Sequence, residues 1–247
     1  MSEDNSVLTR TAPPPQVRIA YGSHAEQYAL VWQGGAAAAT RPLVLLLHGG
    51  YWRPAYDLAH MSSMAAVLAA DGWTVANVEY RRIPGHPEAM AEDLQRALQV
   101  LLAFTSPHNG RVLVAGFSAG GHLALWLAAT HASLQAVVAL APVASLEKAL
   151  QLQLSNDAVS EFLGPAATTL LPDWDPEALP DSQKPVFILH GDADDTVPLE
   201  LSQRYLARHR HAQLKVLSQT GHYALIDPLS SAWPEVLATM RRASEAA

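Results

Sequence analysis

Five consecutive aliphatic residues, Leu43-Val44-Leu45-Leu46-Leu47, constrain the fold of this chain more than any other feature. A strand with one wet face alternates apolar and polar residues, whereas an unbroken aliphatic run has to bury both faces. That demands a sheet covered by helices on either side. The next segments repeat the demand: helical spacing over 58–70 closed by Gly72, strand 74–80, helix 88–103, strand 111–116, helix 119–130 and strand 136–140. Further on come strand 185–189, helix 199–209, strand 213–217 and a final helix from about 230. Strands alternating with helices predict an α/β fold, a mostly parallel central sheet with right-handed crossovers and helices on both faces. Ahead of it, 17–20 and 27–33 read as short antiparallel strands, with a turn over 34–40.

Of the 247 residues, 49% are hydrophobic and 16% charged, which suits one sizeable core. One domain over 17–247 is expected, after a polar and then proline-rich stretch, 1–16, that reads as a flexible tail. The less regular 144–181 is too short for a separate domain and is expected to form at most a small cap. The 16 basic and 23 acidic residues leave a formal charge of −7 without a Lys/Arg cluster, so nucleic acid is not an expected partner. The absence of cysteine removes disulfides, thiolate metal sites and cysteine nucleophiles, and fits a reducing compartment. The start has no basic-then-apolar signal pattern, and no apolar run reaches the ~18 residues of a membrane span, so a cytoplasmic protein with no membrane partner is expected. The expected partner is a small-molecule substrate, with a homodimer left open.

In open α/β sheets ligands sit beyond the carboxyl ends of the strands. One such end carries Gly116-Phe117-Ser118-Ala119-Gly120, a Gly-x-Ser-x-Gly between a β-branched strand and an apolar helix. The glycines suit a turn sharp enough to lift a serine hydroxyl clear of the sheet, which makes Ser118 the candidate nucleophile. An ordinary glycine-rich turn or a phosphate-binding loop competes, but neither Gly-Lys-Ser/Thr nor Gly-x-Gly-x-x-Gly is present. Acyl transfer also needs amides aimed at an oxyanion: one from Ala119, the other from Gly50 or Tyr51 in His48-Gly49-Gly50-Tyr51-Trp52, which ends the first buried strand.

His222, on the loop after the last strand, is the candidate general base. Asp192, Asp194 and Asp195 all follow a strand in the order nucleophile, acid, histidine, so order alone does not choose among them. His48 and His190 are expected to hold turns, His122 to pack behind the elbow, and His209 and His211 to be solvated. No His-Glu-x-x-His spacing appears, so neither a metal nor a cofactor is expected. Tyr51, Trp52, Trp174 and Tyr223 are candidate walls of an aromatic pocket.

Taken together, these motifs resemble the α/β-hydrolases of the kynurenine formamidase and carboxylesterase type, in which a His-Gly-Gly-x-Trp loop serves the oxyanion hole. The resemblance runs from about Pro42 to Tyr223 and includes Glu79-Tyr80-Arg81 and Asp93. It implies an α/β-hydrolase fold and a triad of Ser118, Asp194 and His222, since the acid of His-Gly-x-x-Asp-x-x-Val-Pro falls on Asp194. It also implies cleavage of an aryl formamide or a small carboxylic ester through an acyl-enzyme. A slowly turning receptor on the same fold is the expectation from another class.

Overall fold

The computed structural model describes residues 3–246 of the chain. In chain order its elements are β1 (Val17–Ala20), β2 (Tyr28–Trp32), β3 (Leu43–Leu47), α1 (Ser62–Ala70), β4 (Val75–Val78), α2 (Pro87–Phe104), β5 (Val112–Phe117), α3 (Ala119–Thr130) and β6 (Ala136–Leu140). After β6 come α4 (Leu146–Gln151), α5 (Leu154–Leu163), α6 (Ala167–Trp174), β7 (Val186–Gly191), α7 (Glu200–Arg208), β8 (Ala212–Leu217) and α8 (Trp233–Glu245). The strands form one sheet in the order β1-β2-β4-β3-β5-β6-β7-β8, antiparallel at β1, β2 and β4 and parallel from there on.

The aliphatic run of β3 divides as its geometry requires, because successive side chains of a strand point to opposite faces. Leu43, Leu45 and Leu47 enter the core shared with α2, α3 and α7, while Val44 and Leu46 enter the one shared with α1 and α8. All five are at most 1% exposed. Each such side chain contributes ~1.5–3 kcal/mol relative to exposure. The helix after the elbow, α3, is buried on every side from Ala119 to Ala128, which its nearly unbroken apolar sequence permits.

Two regions take a form that the sequence pattern does not show. Residues 144–181 contain the helices α4 to α6, which pack on the core through Leu146, Phe162 and Trp174, and are irregular after Trp174. α5 opens on Ser155, Asn156 and Asp157 with φ between 51° and 59°, a left-handed turn that hydrophobic patterning does not reveal. Residues 3–16, the described part of the expected tail, lie against the body: Val7 is 1% exposed and Arg10 forms an ion pair with Asp227. A few anchors of this kind dock a stretch whose composition reads as tail. No described helix is long and apolar enough to cross a membrane.

Candidate active site

The parallel register brings the ends of β3, β5, β7 and β8 to one edge of the sheet, with Leu47 beside Gly116 and Gly191 beside Leu217. Ser118 follows β5 with φ 56° and ψ −118°, a conformation that non-glycine residues rarely hold. The turn closes only because its flanks lack side chains. A Cβ on Gly116 would lie 2.1 Å from the Gly120 carbonyl oxygen, and one on Gly120 would lie 2.2 Å from that of Leu47. The Ser118 amide donates to Leu140 O at 2.8 Å, so β6 anchors the elbow.

The loop after β7 turns around one carboxylate. Asp194 Oδ1 accepts the amides of Thr196 and Val197 at 2.9 and 2.8 Å, while Oδ2 accepts His222 Nδ1–H at 2.6 Å. Its side chain has no exposed surface, and that of His222 is 2% exposed. Burial alone would raise the Asp194 pKa, but hydrogen bonds from His190 and His222, the charge of His222 and the Val197 amide together hold it well below the usual carboxylate range. Asp194 therefore stays ionised and fixes the His222 proton on Nδ1, leaving Nε2 as the basic nitrogen. The rival aspartates do other work: Asp192 Oδ1 accepts the Gln219 amide at 2.6 Å, and the exposed Asp195 accepts the Thr196 hydroxyl at 3.4 Å.

Ser118 and His222 share a cavity of about 230 Å3 with Gly50 and Tyr51. The loop after β3 holds positive φ over three consecutive residues, 114° at Gly50, 49° at Tyr51 and 58° at Trp52, and is strained at the last two. Gly50 is the one that must be glycine, because a Cβ there would lie 2.4 Å from Tyr56 Cβ. Neither the Gly50 nor the Tyr51 amide has a partner among the described residues, and Ala119, as the first residue of α3, has no intrahelical acceptor. Gly50 and Tyr51 thus bring amides without a protein partner to the cavity that holds Ser118, and the Ala119 amide follows the serine directly.

Side chains around the loop hold its strain in place. Tyr51 donates its hydroxyl to Thr196 O at 2.7 Å, tying the loop after β3 to the Asp194 turn. Trp52 Nε1–H donates to His122 Nδ1 at 3.2 Å and its ring stacks on Phe162 at 4.5 Å. Behind the loop, buried Glu79 pairs with Arg82, approaches His48 Nε2 at 3.1 Å and accepts the Leu58 amide, while the Tyr80 hydroxyl donates to His48 O. Burial first, and the Arg82 charge next, push the His48 pKa down to about 3. His48 is therefore a neutral strut rather than an acid or base.

His190 and His122 also have structural places. His190 Nε2–H donates to Val197 O at 2.8 Å and Nδ1 accepts from Ser202, while His122 Nε2–H donates to Trp174 O at 2.8 Å. His209, expected to be solvated, is 4% exposed, pairs with Asp181 and stacks on Tyr205 at 4.0 Å, because it lies one helical turn beyond Tyr205 on the buried side of α7. His211 is exposed.

Two expected pocket walls are corrected. Trp52 and Trp174 do not line the cavity: the first is 3% exposed and held by His122 and Phe162, and the second stacks on Trp126 at 5.0 Å. Tyr223 does line it. Sequence reasoning missed Leu8, Tyr56, His60, Ser155 and Thr196, which complete the lining together with Phe117. Only Tyr56 and Thr196 carried a signal, since each lies close to a motif loop. Burial, followed by the neighbouring His48, lowers the His60 pKa to about 3, so His60 presents a neutral imidazole to the cavity.

Residues 32–208, well over half of the chain, match the BD-FAE family. Esterase LipC of Mycobacterium tuberculosis is 24% identical over 235 residues, 84% of this chain and 57% of that protein, so the chain spans little more than half the length of this curated relative. Esterase B from Lactobacillus rhamnosis superposes with a TM-score of 0.75 at 20% identity, over 95% of this chain and 89% of that one. Thermogutta terrifontis esterase 2 phosphonylated by sarin gives a TM-score of 0.74 at 17% identity, over 96% and 95%. The strand order, the covered parallel sheet and these likenesses agree, and the chain belongs to the BD-FAE family, on the α/β-hydrolase fold.

Proposed function

We propose that this protein is a serine hydrolase that cleaves small carboxylic esters through an acyl-enzyme on Ser118. The observation that carries the proposal is the 2.6 Å bond from His222 Nδ1 to the carboxylate of Asp194, whose side chain has no exposed surface, on a cavity His222 shares with the strained Ser118. In this mechanism His222 Nε2 takes the Ser118 proton as Oγ attacks the carbonyl carbon, and the oxyanion rests on the Ala119 amide and those of Gly50 and Tyr51. The imidazolium then protonates the departing alcohol. Water, activated by the same nitrogen, attacks the acyl-enzyme and releases the acid.

The named esterases among the similar proteins support an ester over other acyl substrates. An aryl formamide is the second reading, favoured by the aromatic walls at Tyr51, Tyr56, Phe117 and Tyr223; its acyl group would be formyl and its products an aryl amine and formate. Steady-state kinetics on p-nitrophenyl acetate and butyrate beside N-formylkynurenine, with Ser118→Ala as control, tests both. Ester turnover at kcat/KM within the ~10⁴–10⁸ M⁻¹s⁻¹ of working enzymes is the expected result, faster formamide cleavage would replace it with the second reading, and silence on all three would overturn both.

A further inference from the structure

The N-terminal segment reaches the catalytic edge at separate points that the triad does not explain. Glu3 Oε1 accepts the amide of Tyr223, the residue after His222, at 2.6 Å. Gly221 makes room for that contact, since a Cβ there would lie 2.4 Å from the same Glu3 oxygen. Val7 is buried in the core cluster that holds Met61, in the turn Leu58–Met61 that carries the cavity residue His60. Arg10 clamps Asp227 beyond the His222 loop, and Pro13 O accepts Trp32 Nε1–H at 2.8 Å. Between these anchors Leu8 is only partly buried, and it lines the cavity that contains Ser118.

We propose that residues 3–13 are a strap that closes one wall of the substrate cavity, and that Leu8 sets the length of the apolar chain admitted beside Ser118. The role rests on the hydrolase reading and deepens it. A cavity of about 230 Å3 is small for an acyl chain together with its leaving group, so one branched side chain at its edge decides whether a longer chain fits. Shortening Leu8 opens space at the wall while the neighbouring anchors hold the strap in place. Enlarging it fills the same space. Each methylene that gains or loses room in an apolar pocket shifts discrimination by ~10-fold to ~200-fold.

The test is kcat/KM on p-nitrophenyl acetate, butyrate, hexanoate and octanoate for the wild type, Leu8→Ala, Leu8→Trp, the exposed strap control Thr9→Ala, and Ser118→Ala. Leu8→Ala is expected to raise the hexanoate-to-acetate ratio at least ~10-fold and Leu8→Trp to lower it by a similar factor, with Thr9→Ala parallel to the wild type. The two Leu8 variants perturb packing differently but are expected to move the ratio in opposite directions, so a loss of fold in one leaves the other decisive. Ratios unchanged in the folded Leu8 variants of an active enzyme would overturn the strap's role and leave the hydrolase reading intact. A wild type as inactive as Ser118→Ala on every ester would overturn the hydrolase reading and the strap's role with it.

Discussion

Asp194→Asn tests the catalytic geometry most sharply, because the two carboxylate oxygens have different obligations. Oδ1 receives two backbone amides and Oδ2 receives His222 Nδ1–H, with His190 Nε2 at 3.4 Å from the same atom. An asparagine has one acceptor oxygen. Turning its NH2 toward the Thr196 and Val197 amides would strand two buried donors at ~1–3 kcal/mol each, so the side chain keeps its oxygen there and aims NH2 at His222. Nδ1 then has to accept, the imidazole proton moves to Nε2, and the histidine can no longer take the Ser118 proton. The expected loss in kcat is ~10⁴-fold, ~5 kcal/mol, as for the same change in the serine-protease triad, with KM little altered because Asp194 does not line the cavity. The assay is p-nitrophenyl butyrate turnover on protein whose thermal midpoint and circular dichroism match a folded chain. A loss below ~10-fold in folded protein, or a larger one for Asp195→Asn, would refute the assignment of Asp194.

Ser118→Ala and His222→Ala are each expected to cost ~10⁶ in kcat, and the double variant no more than either, as active-site titration and turnover will show. Gly120→Ala places a Cβ 2.2 and 2.3 Å from the carbonyl oxygens of Leu47 and His48, a backbone clash expected to cost ~3 kcal/mol or more in urea denaturation. Trp174→Ala is expected to lose ~3–5 kcal/mol of stability with KM for small esters unchanged, since the ring packs on Trp126 and not on substrate; a KM effect without instability would contradict the placement. Stability should be greatest above pH ~6.5 and fall on acidification. Burial depresses His48 to about 3 and His122 to about 4, so between those values and the ordinary 6.5 the unfolded chain binds more protons than the folded one. Each contributes a slope of up to ~1.4 kcal/mol per pH unit in that window, and a flat unfolding midpoint from pH 7 to 5 would exclude neutral burial.

The motif serine and the glycines around it were legible because a strand-to-helix turn this tight leaves few residue types at each position. His222 was legible from its place after the last strand. The choice among Asp192, Asp194 and Asp195 was not legible from spacing: it depends on which carboxylate is buried and which way the loop turns, and resemblance alone pointed to Asp194. The aromatic residues misled for a related reason. Trp52 and Trp174 look like pocket walls in a sequence, but a large ring next to a strained loop serves equally well as its anchor, and only the positions of His122, Phe162 and Trp126 distinguish the two.

The layered α/β architecture was written in the residue order, because an aliphatic strand run and alternating helical periodicity have few ways to bury their apolar surface. So was the place of the candidate site, because a hydroxyl on a glycine-flanked turn, a histidine after the last strand and a carboxylate between them all follow strands that end at one edge of the sheet. Folding in three dimensions was needed to choose the carboxylate that pairs with His222, to brace the loop after β3, to set a left-handed turn in residues 155–157 under the grip of Arg53, and to dock the N-terminal segment at the cavity. These depend on contacts between residues far apart in the chain, such as Glu3 with Tyr223 and Arg10 with Asp227. Periodicity reports whether a residue has a buried side; it does not report what lies against that side.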